Sequence, residues 1–264
     1  MSWNDFILFA IGAMVFWTTG AIMAWNSTMR KTALSVFAIG TGIFLCFIIS
    51  LWISLERPPM RTMGETRLFY SFFVATIGWI VYFRWNYKWI PAFTTILAGV
   101  FILINLLKPQ IHDQALMPAL QSPWFVPHVI VYMFSYALMG CALLLLVYGY
   151  FKPRETQRKV LLNTADNLVY TGTALLMIGM LFGAIWAKQA WGHYWNWDPK
   201  ETWAALTWFS YLCYIHVRYR YPLRYRSATL ILALSFLFLQ ICWYGINYLP
   251  AATKSVHSYS MSTP

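Results

Sequence analysis

The sequence predicts an all-α integral membrane protein, a polytopic bundle of about eight transmembrane helices, and three observations lead there. Of its 264 residues 60% are hydrophobic and 10% are charged, against roughly 25% charged in a soluble domain. The apolar residues run in stretches close to the ~20 that cross a hydrocarbon core. The 19 Lys and Arg outnumber the 8 Asp and Glu, yet they cluster in short connections between apolar runs instead of lining one polar face. Such basic loops orient membrane helices, and they argue against a nucleic-acid partner.

The apolar runs justify each element in turn. Residues 6–25 lack a basic leader and an A-x-A-like site, so they are expected to stay attached as a span and not to be cleaved. Residues 33–55, a short run at 68–83, and 89–107 complete four N-terminal spans within 1–107. A polar connection, 108–127, leads to further spans at 128–151, 168–187, a short 203–217, and 228–248, with a tail at 249–264. The whole of 1–264 is expected to form a single membrane domain, without internal repeats, in which 108–264 carries the chemistry-bearing residues. Twelve of the 19 cations fall in connections on one side, at 30–31, 84–88, 152–159 and 218–226. Taking that side as cytoplasmic places both termini, the connection 108–127 and the loop 188–203 outside.

Cys46, Cys141, Cys213 and Cys242 all lie in apolar runs and form no C-x-x-C pair, so they read as small buried hydrophobes and not as a disulfide or zinc framework.

The densest feature is the segment 191–203, which holds Trp191, Tyr194, Trp195, Trp197 and Trp203, with Trp208 one and a half turns further on. Asp198, Pro199 and Glu201 have a structural reading as an N-cap, a first helical residue and a capping-box acid. That accounts for the start of a helix but not for so many indoles beside it. Indoles and tyrosines in bulk form a flat apolar platform with N–H donors at its edge, suited to a planar ligand such as haem. A lipid-interface collar and a partner-docking surface are the alternatives.

Haem iron in membrane proteins commonly takes histidine nitrogen. His128 stands at the outer mouth of the fifth span and His257 in the external tail, on the same side as the tryptophan loop. His216 lies inside an apolar run, where an ionisable side chain is functional by default. Trp208, Leu212 and His216 share a helical face, and at 1.5 Å per residue His216 lies about 26 Å from Pro199, toward the inner side of a core about 30 Å thick. As a haem ligand it needs an opposite ligand from another chain or of another residue type. Otherwise it is a neutral imidazole hydrogen-bonded near Arg218 and Arg220. His112 and His193 are candidates by location only. Arg57, Arg61 and Arg67 in an outer connection suit haem propionates or lipid headgroups equally.

The segment Trp191-Gly192-x-Tyr194-Trp195-x-Trp197-Asp198-Pro199-Lys200-Glu201-x-Trp203 resembles the tryptophan-rich WWD signature of haem-handling membrane proteins. With the downstream His216-Val217-Arg218, it is similar to the CcsA-like (ResC-like) subunit of system II cytochrome c biogenesis. His128 and His257 stand in that family's order; before about Lys108 the likeness is one of general membrane character and of the segment around Glu65. The resemblance implies that His128 and His257 hold haem b, as substrate and cargo, against the platform made by Trp191, Tyr194, Trp195, Trp197, Asp198, Trp203 and Trp208. It implies that His216 serves a second, intramembrane haem site completed by a separate CcsB-like subunit. The implied activity is cytochrome c haem lyase: attachment of haem vinyl groups to the thiols of a C-x-x-C-H motif in apocytochrome c, with His128 and His257 as the catalytic pair. The implied location is the bacterial inner membrane, with the loop on the periplasmic side. A haem exporter without lyase activity is the first alternative and a membrane cytochrome b the second; the single intramembrane histidine speaks against the latter.

Overall fold

The structure is a computed structural model that describes residues 2–60, 62–112, 122–151, 154–222 and 224–249. Its long elements are all helices: α1 (Phe6–Met23), α2 (Arg30–Leu55), α3 (Met63–Trp85), α4 (Ile90–Leu107), α5 (Phe125–Gly149), α6 (Glu155–Trp191), α7 (Pro199–Arg220) and α8 (Tyr225–Trp243). All but α7 are long and apolar enough to cross a membrane. The exception has the length, 22 residues, but it carries Lys200, Glu201, His216, Arg218 and Arg220 among its apolar side chains.

The helices group into two compact units, Met1–Ala115 and Leu116–Pro264. In the first, α1 packs on α2 and α4, and α3 packs on the same two helices. In the second, α5 packs on α6 and α8, and α7 packs on the same two. Each unit is thus a four-helix ring in chain order, as short connections between antiparallel neighbours dictate.

Several boundaries differ from the hydropathy reading. Helix α3 starts five residues before the predicted run because Thr62 and Glu65 form a capping box: Glu65 N–H donates to Thr62 Oγ1 at 3.1 Å and Thr62 N–H to Glu65 Oε2 at 3.0 Å. Helix α6 begins at Glu155, not near residue 168. Its first turns hold Glu155, Gln157, Arg158 and Lys159, which are polar but good helix formers, so the drop in hydropathy marks no helix end. At the other end α6 runs on through Trp191, which is therefore helical and not part of the loop.

The first unit is built on aromatics. Phe6, Trp17, Phe37, Phe44 and Phe47 are buried between α1 and α2, and Trp17 Nε1–H donates to Thr41 Oγ1 at 3.1 Å. Gly40 permits this approach, since a Cβ there would lie 2.8 Å from Trp17 Cδ1. The second unit has a glycine-rich α5–α6 contact, the small-residue packing common between membrane helices. There Ser135 Oγ–H donates to the Gly172 carbonyl at 2.7 Å. The cysteines depart from the buried expectation: Cys141 is buried and Cys242 half-buried, but Cys46 and Cys213 lie on exposed helix faces. In a membrane helix an apolar residue does not need the protein interior, because the lipid is as apolar as the core.

Candidate functional site

The tryptophan segment is shaped by helix ends. Gly192 caps α6 in the left-handed conformation (φ 83°), its N–H donating to the Lys188 carbonyl at 3.1 Å. Lys188 Nζ donates to the Gly192 carbonyl at 2.8 Å and lies 5.4 Å from the Tyr194 ring centroid, tying the turn down. On the far side Asp198 accepts the Lys200 N–H at 2.8 Å as N-cap of α7. Glu201 completes the capping box and gathers two amides on one oxygen, Asn196 N–H at 2.8 Å and Asp198 N–H at 3.1 Å. Between them Trp197 is forced to φ 54°, a left-handed conformation uncommon for a bulky residue. Asp198 and Glu201 therefore have the structural roles their spacing predicted.

The rings divide by exposure. Tyr194 and Trp197 are 59% and 68% exposed, whereas Trp191, Trp195, Trp203 and Trp208 are half-buried. Trp195 and Trp197 meet edge to face at 5.7 Å, and Trp203 packs on Phe238 of α8.

His128, in the first turn of α5, lies against α6. Its Nδ1 is 2.7 Å from the Gly179 carbonyl. A carbonyl only accepts, so Nδ1 carries the proton and Nε2 is the lone-pair nitrogen, the tautomer an iron ligand requires. Gly183 supplies the room: a Cβ there would lie 2.8 Å from both Cε1 and Nδ1 of the imidazole. Aromatic contacts then run from His128 in two directions. One passes to Trp186 (5.8 Å) and on to Trp191 (4.8 Å), the first residue of the tryptophan signature. The other passes through Tyr132 (4.5 Å) and Tyr136 (5.7 Å) to Trp243 of α8 (5.6 Å).

The donors present are of the kinds that haem takes: an oriented imidazole at His128 and, on the loop and α7, the buried indole N–H groups of Trp195 and Trp208, which have no acceptor among the described residues and could meet carboxylate oxygens such as propionates.

His216 is exposed on α7 and has no hydrogen-bond partner among the described residues. The alternative reading, an imidazole bonded near Arg218 and Arg220, finds no such bond among the described residues. Arg218 instead points to the opposite side of the helix, where it is buried with Asp166 of α6. Trp208 and Leu212, on the same face as His216, are half-buried. His193 is exposed in the loop, and His257 lies outside the described residues. His112 belongs to the first unit, stacked flat on Trp3 with ring centroids 3.7 Å apart. Arg57 makes a two-pronged ion pair with Glu65 (2.8 and 3.1 Å), which removes it as a propionate partner. Arg67 falls within α3, and Arg61 lies outside the described residues.

Sequence reasoning missed Trp186, Tyr132, Gly179, Gly183 and Asp166. The signal for three of them was present: Gly179, Gly183 and Trp186 lie at i, i+4, i+7 on α6, a small-residue face ending in an indole.

Residues 7–253 match the protein family described as Cytochrome C assembly protein. The chain belongs to the cytochrome c assembly protein family. The match takes in both units, so the likeness of the first is more than general membrane character; His257 falls beyond its end. Family relatives named cytochrome c biogenesis protein CcsA are similar throughout. That of Nymphaea alba is 32% identical over 281 residues, covering 92% of this chain and 89% of the relative. That of Trieres chinensis is 31% identical over 300 residues, covering 96% and 93%. That of Panax ginseng is 30% identical over 274 residues, covering 84% and 85%.

Proposed function

We propose that this chain is the CcsA-like subunit of a cytochrome c synthase that conveys haem b across the membrane and holds it at the tryptophan-rich loop for thioether attachment to an apocytochrome c. One observation carries the reading. His128, its Nδ1 tethered to the Gly179 carbonyl, sits in one aromatic cluster with Trp186 and Trp191, so an oriented imidazole and the start of the tryptophan signature belong to one site.

The chain's share of the chemistry is placement. His128 would hold the iron through Nε2, and His257, from the tail, would be its second ligand. Tyr194 and Trp197 present rings to the porphyrin plane, and the Trp195 and Trp208 indoles donate to its propionates. Each substrate thiol then adds across a vinyl double bond: sulfur bonds one vinyl carbon, the proton ends on the other, and no electrons are exchanged with a third party. Reduced, accessible cysteines supply the thiolate without a dedicated base on this chain. His216 serves a second, intramembrane haem site, and its exposed position suits a facing histidine from a separate CcsB-like chain. The cation distribution supports an orientation with the loop outside, and the membrane assigned is the bacterial inner membrane.

The test is the absorption spectrum of the detergent-purified chain co-expressed with a CcsB-like partner, alongside assay of thioether-linked product on a C-x-x-C-H apocytochrome. The expected outcome is a b-type haem spectrum, weakened by His128→Ala, His257→Ala and His216→Ala. Thioether formation is expected to be lost in the double variant His128→Ala/His257→Ala and restored in part by imidazole. Haem-loaded protein without thioether product points instead to a carrier. Undiminished thioether formation in the double variant without imidazole removes the ligand assignment.

A further inference from the structure

Helix α7 has two faces offset by two residues. Thr207, Tyr211, Tyr214 and Arg218 are buried, while Phe209, Cys213, His216 and Arg220 are exposed. A shift of two residues is about 200° around a helix, so whatever holds the first set inward turns the second outward.

Hydrophobic contact alone sets such a rotation weakly, because α7 carries aromatic and aliphatic side chains on both faces and lipid is as apolar as the core. The specific hold is polar. Arg218 Nε donates to Asp166 Oδ1 at 2.9 Å and Nη2 donates to Oδ2 at 2.7 Å. Tyr214 O–H donates to Asp166 Oδ1 at 2.8 Å. Arg218 Nη1 also donates to the Pro222 carbonyl just beyond the helix end. Asp166 thus receives donors from two successive turns of α7, and the guanidinium fork admits one geometry.

We propose that Asp166, Tyr214 and Arg218 are positioning residues that fix the rotation of α7 about its own axis and so aim His216 away from its four-helix unit. The proposal deepens the reading above and rests on it only for what His216 then meets; the rotation itself is independent of haem.

Cys213, one turn before His216 on the same face, reports the rotation directly. In the full chain with Cys46→Ser, reactivity of Cys213 toward a small maleimide is followed in detergent, in parallel with a Tyr211→Cys, Cys213→Ser reporter for the buried face. With the lock intact Cys213 reacts and the reporter at 211 stays protected. Asp166→Asn is expected to slow Cys213 labelling several-fold and expose position 211, with Tyr214→Phe intermediate. The exchanged pair Asp166→Arg/Arg218→Asp is expected to return both toward the starting pattern. In the haem spectrum Asp166→Asn is expected to lose the same component as His216→Ala, although His216 is still present. If Asp166→Asn aggregates, Tyr214→Phe and the exchanged pair carry the test. Labelling unchanged in the folded variants overturns the lock. Labelling that changes in a protein whose spectrum never depended on His216 leaves the lock standing and removes the intramembrane haem site.

Discussion

The two units each place a histidine against a glycine and a tryptophan, and the two imidazoles are held in different ways. In the first unit His112 lies flat on Trp3, rings 6° from parallel, with Gly64 so close that a Cβ would stand 2.6 Å from Cδ2. A stack of that kind covers the face of an imidazole and makes it part of the wall. In the second unit His128 is held by its Nδ1, tilted 31° to Trp186 and edge-on to Tyr132, so the ring is oriented through a nitrogen. Sequence position alone made both histidines candidates; the manner of holding tells them apart.

The units also differ in how they use an ion pair, and the largest expected effect lies there. Arg57 and Glu65 are eight residues apart, and the pair joins a guanidinium that is 24% exposed to a carboxylate that is 1% exposed at a helix start. Asp166 and Arg218 join two helices, with side chains 11% and 5% exposed. Removing one partner of a buried pair leaves an uncompensated charge and costs about 3–5 kcal/mol; Arg57→Ala leaves Glu65 the Thr62 N–H at 3.0 Å as a donor, whereas Asp166→Ala takes the acceptor from both Arg218 and Tyr214. Asp166→Ala is therefore expected to lower the thermal midpoint in detergent by more than Arg57→Ala. Equal effects would mean that the Thr62 donor does not compensate Glu65 once Arg57 is gone. Replacing both partners, Asp166→Leu with Arg218→Met, is expected to recover most of the lost stability, since no unpaired charge remains.

A smaller and more local effect sharpens the comparison of the histidines. Gly183→Ala places a methyl 2.8 Å from two imidazole atoms of His128, so the ring must leave its bond to the Gly179 carbonyl. The expected outcome is the spectral change of His128→Ala in a protein that keeps its histidine. Gly64→Ala crowds His112 just as closely and is expected to cost stability while leaving the haem spectrum untouched. A spectrum altered by Gly64→Ala but not by Gly183→Ala would reverse the assignment of the two rings.

How far the sequence anticipates this depends on the scale of the pattern. Long apolar runs announce membrane helices because each span must satisfy its own backbone in lipid; the helix ends were less legible. Thr62-x-x-Glu65 is a local signal hidden inside a polar stretch, and the first turns of α6 are helical yet hydrophilic. Asp198 and Glu201 were legible because capping acts over three residues. Asp166 was not: its partners Tyr214 and Arg218 are 48 and 52 residues away, and only the packing of α6 on α7 makes them neighbours. The same holds for His128, which sequence marks as a candidate while the groove that orients it belongs to a helix 51 residues on.

The smallest expected effect concerns backbone strain, where the units again diverge. Glu56 and Asn86 in the first unit have φ 54° and 55° at helix C-caps, each donating its N–H back to the preceding turn, a position where left-handed backbone ends a helix. Trp197 has the same φ just before a helix begins, with its flanking amides held by Glu201 and its carbonyl accepting from Thr202 Oγ1 at 3.1 Å. Glycine adopts this conformation without a Cβ penalty, so Asn86→Gly and Trp197→Gly are both expected to change stability by no more than about 1 kcal/mol. Haem retention should separate them: unchanged in Asn86→Gly and reduced in Trp197→Gly, because the exposed indole is lost while the loop relaxes. Full retention in Trp197→Gly would make the strained ring a by-product of the cap and leave the platform to Tyr194 and the half-buried indoles.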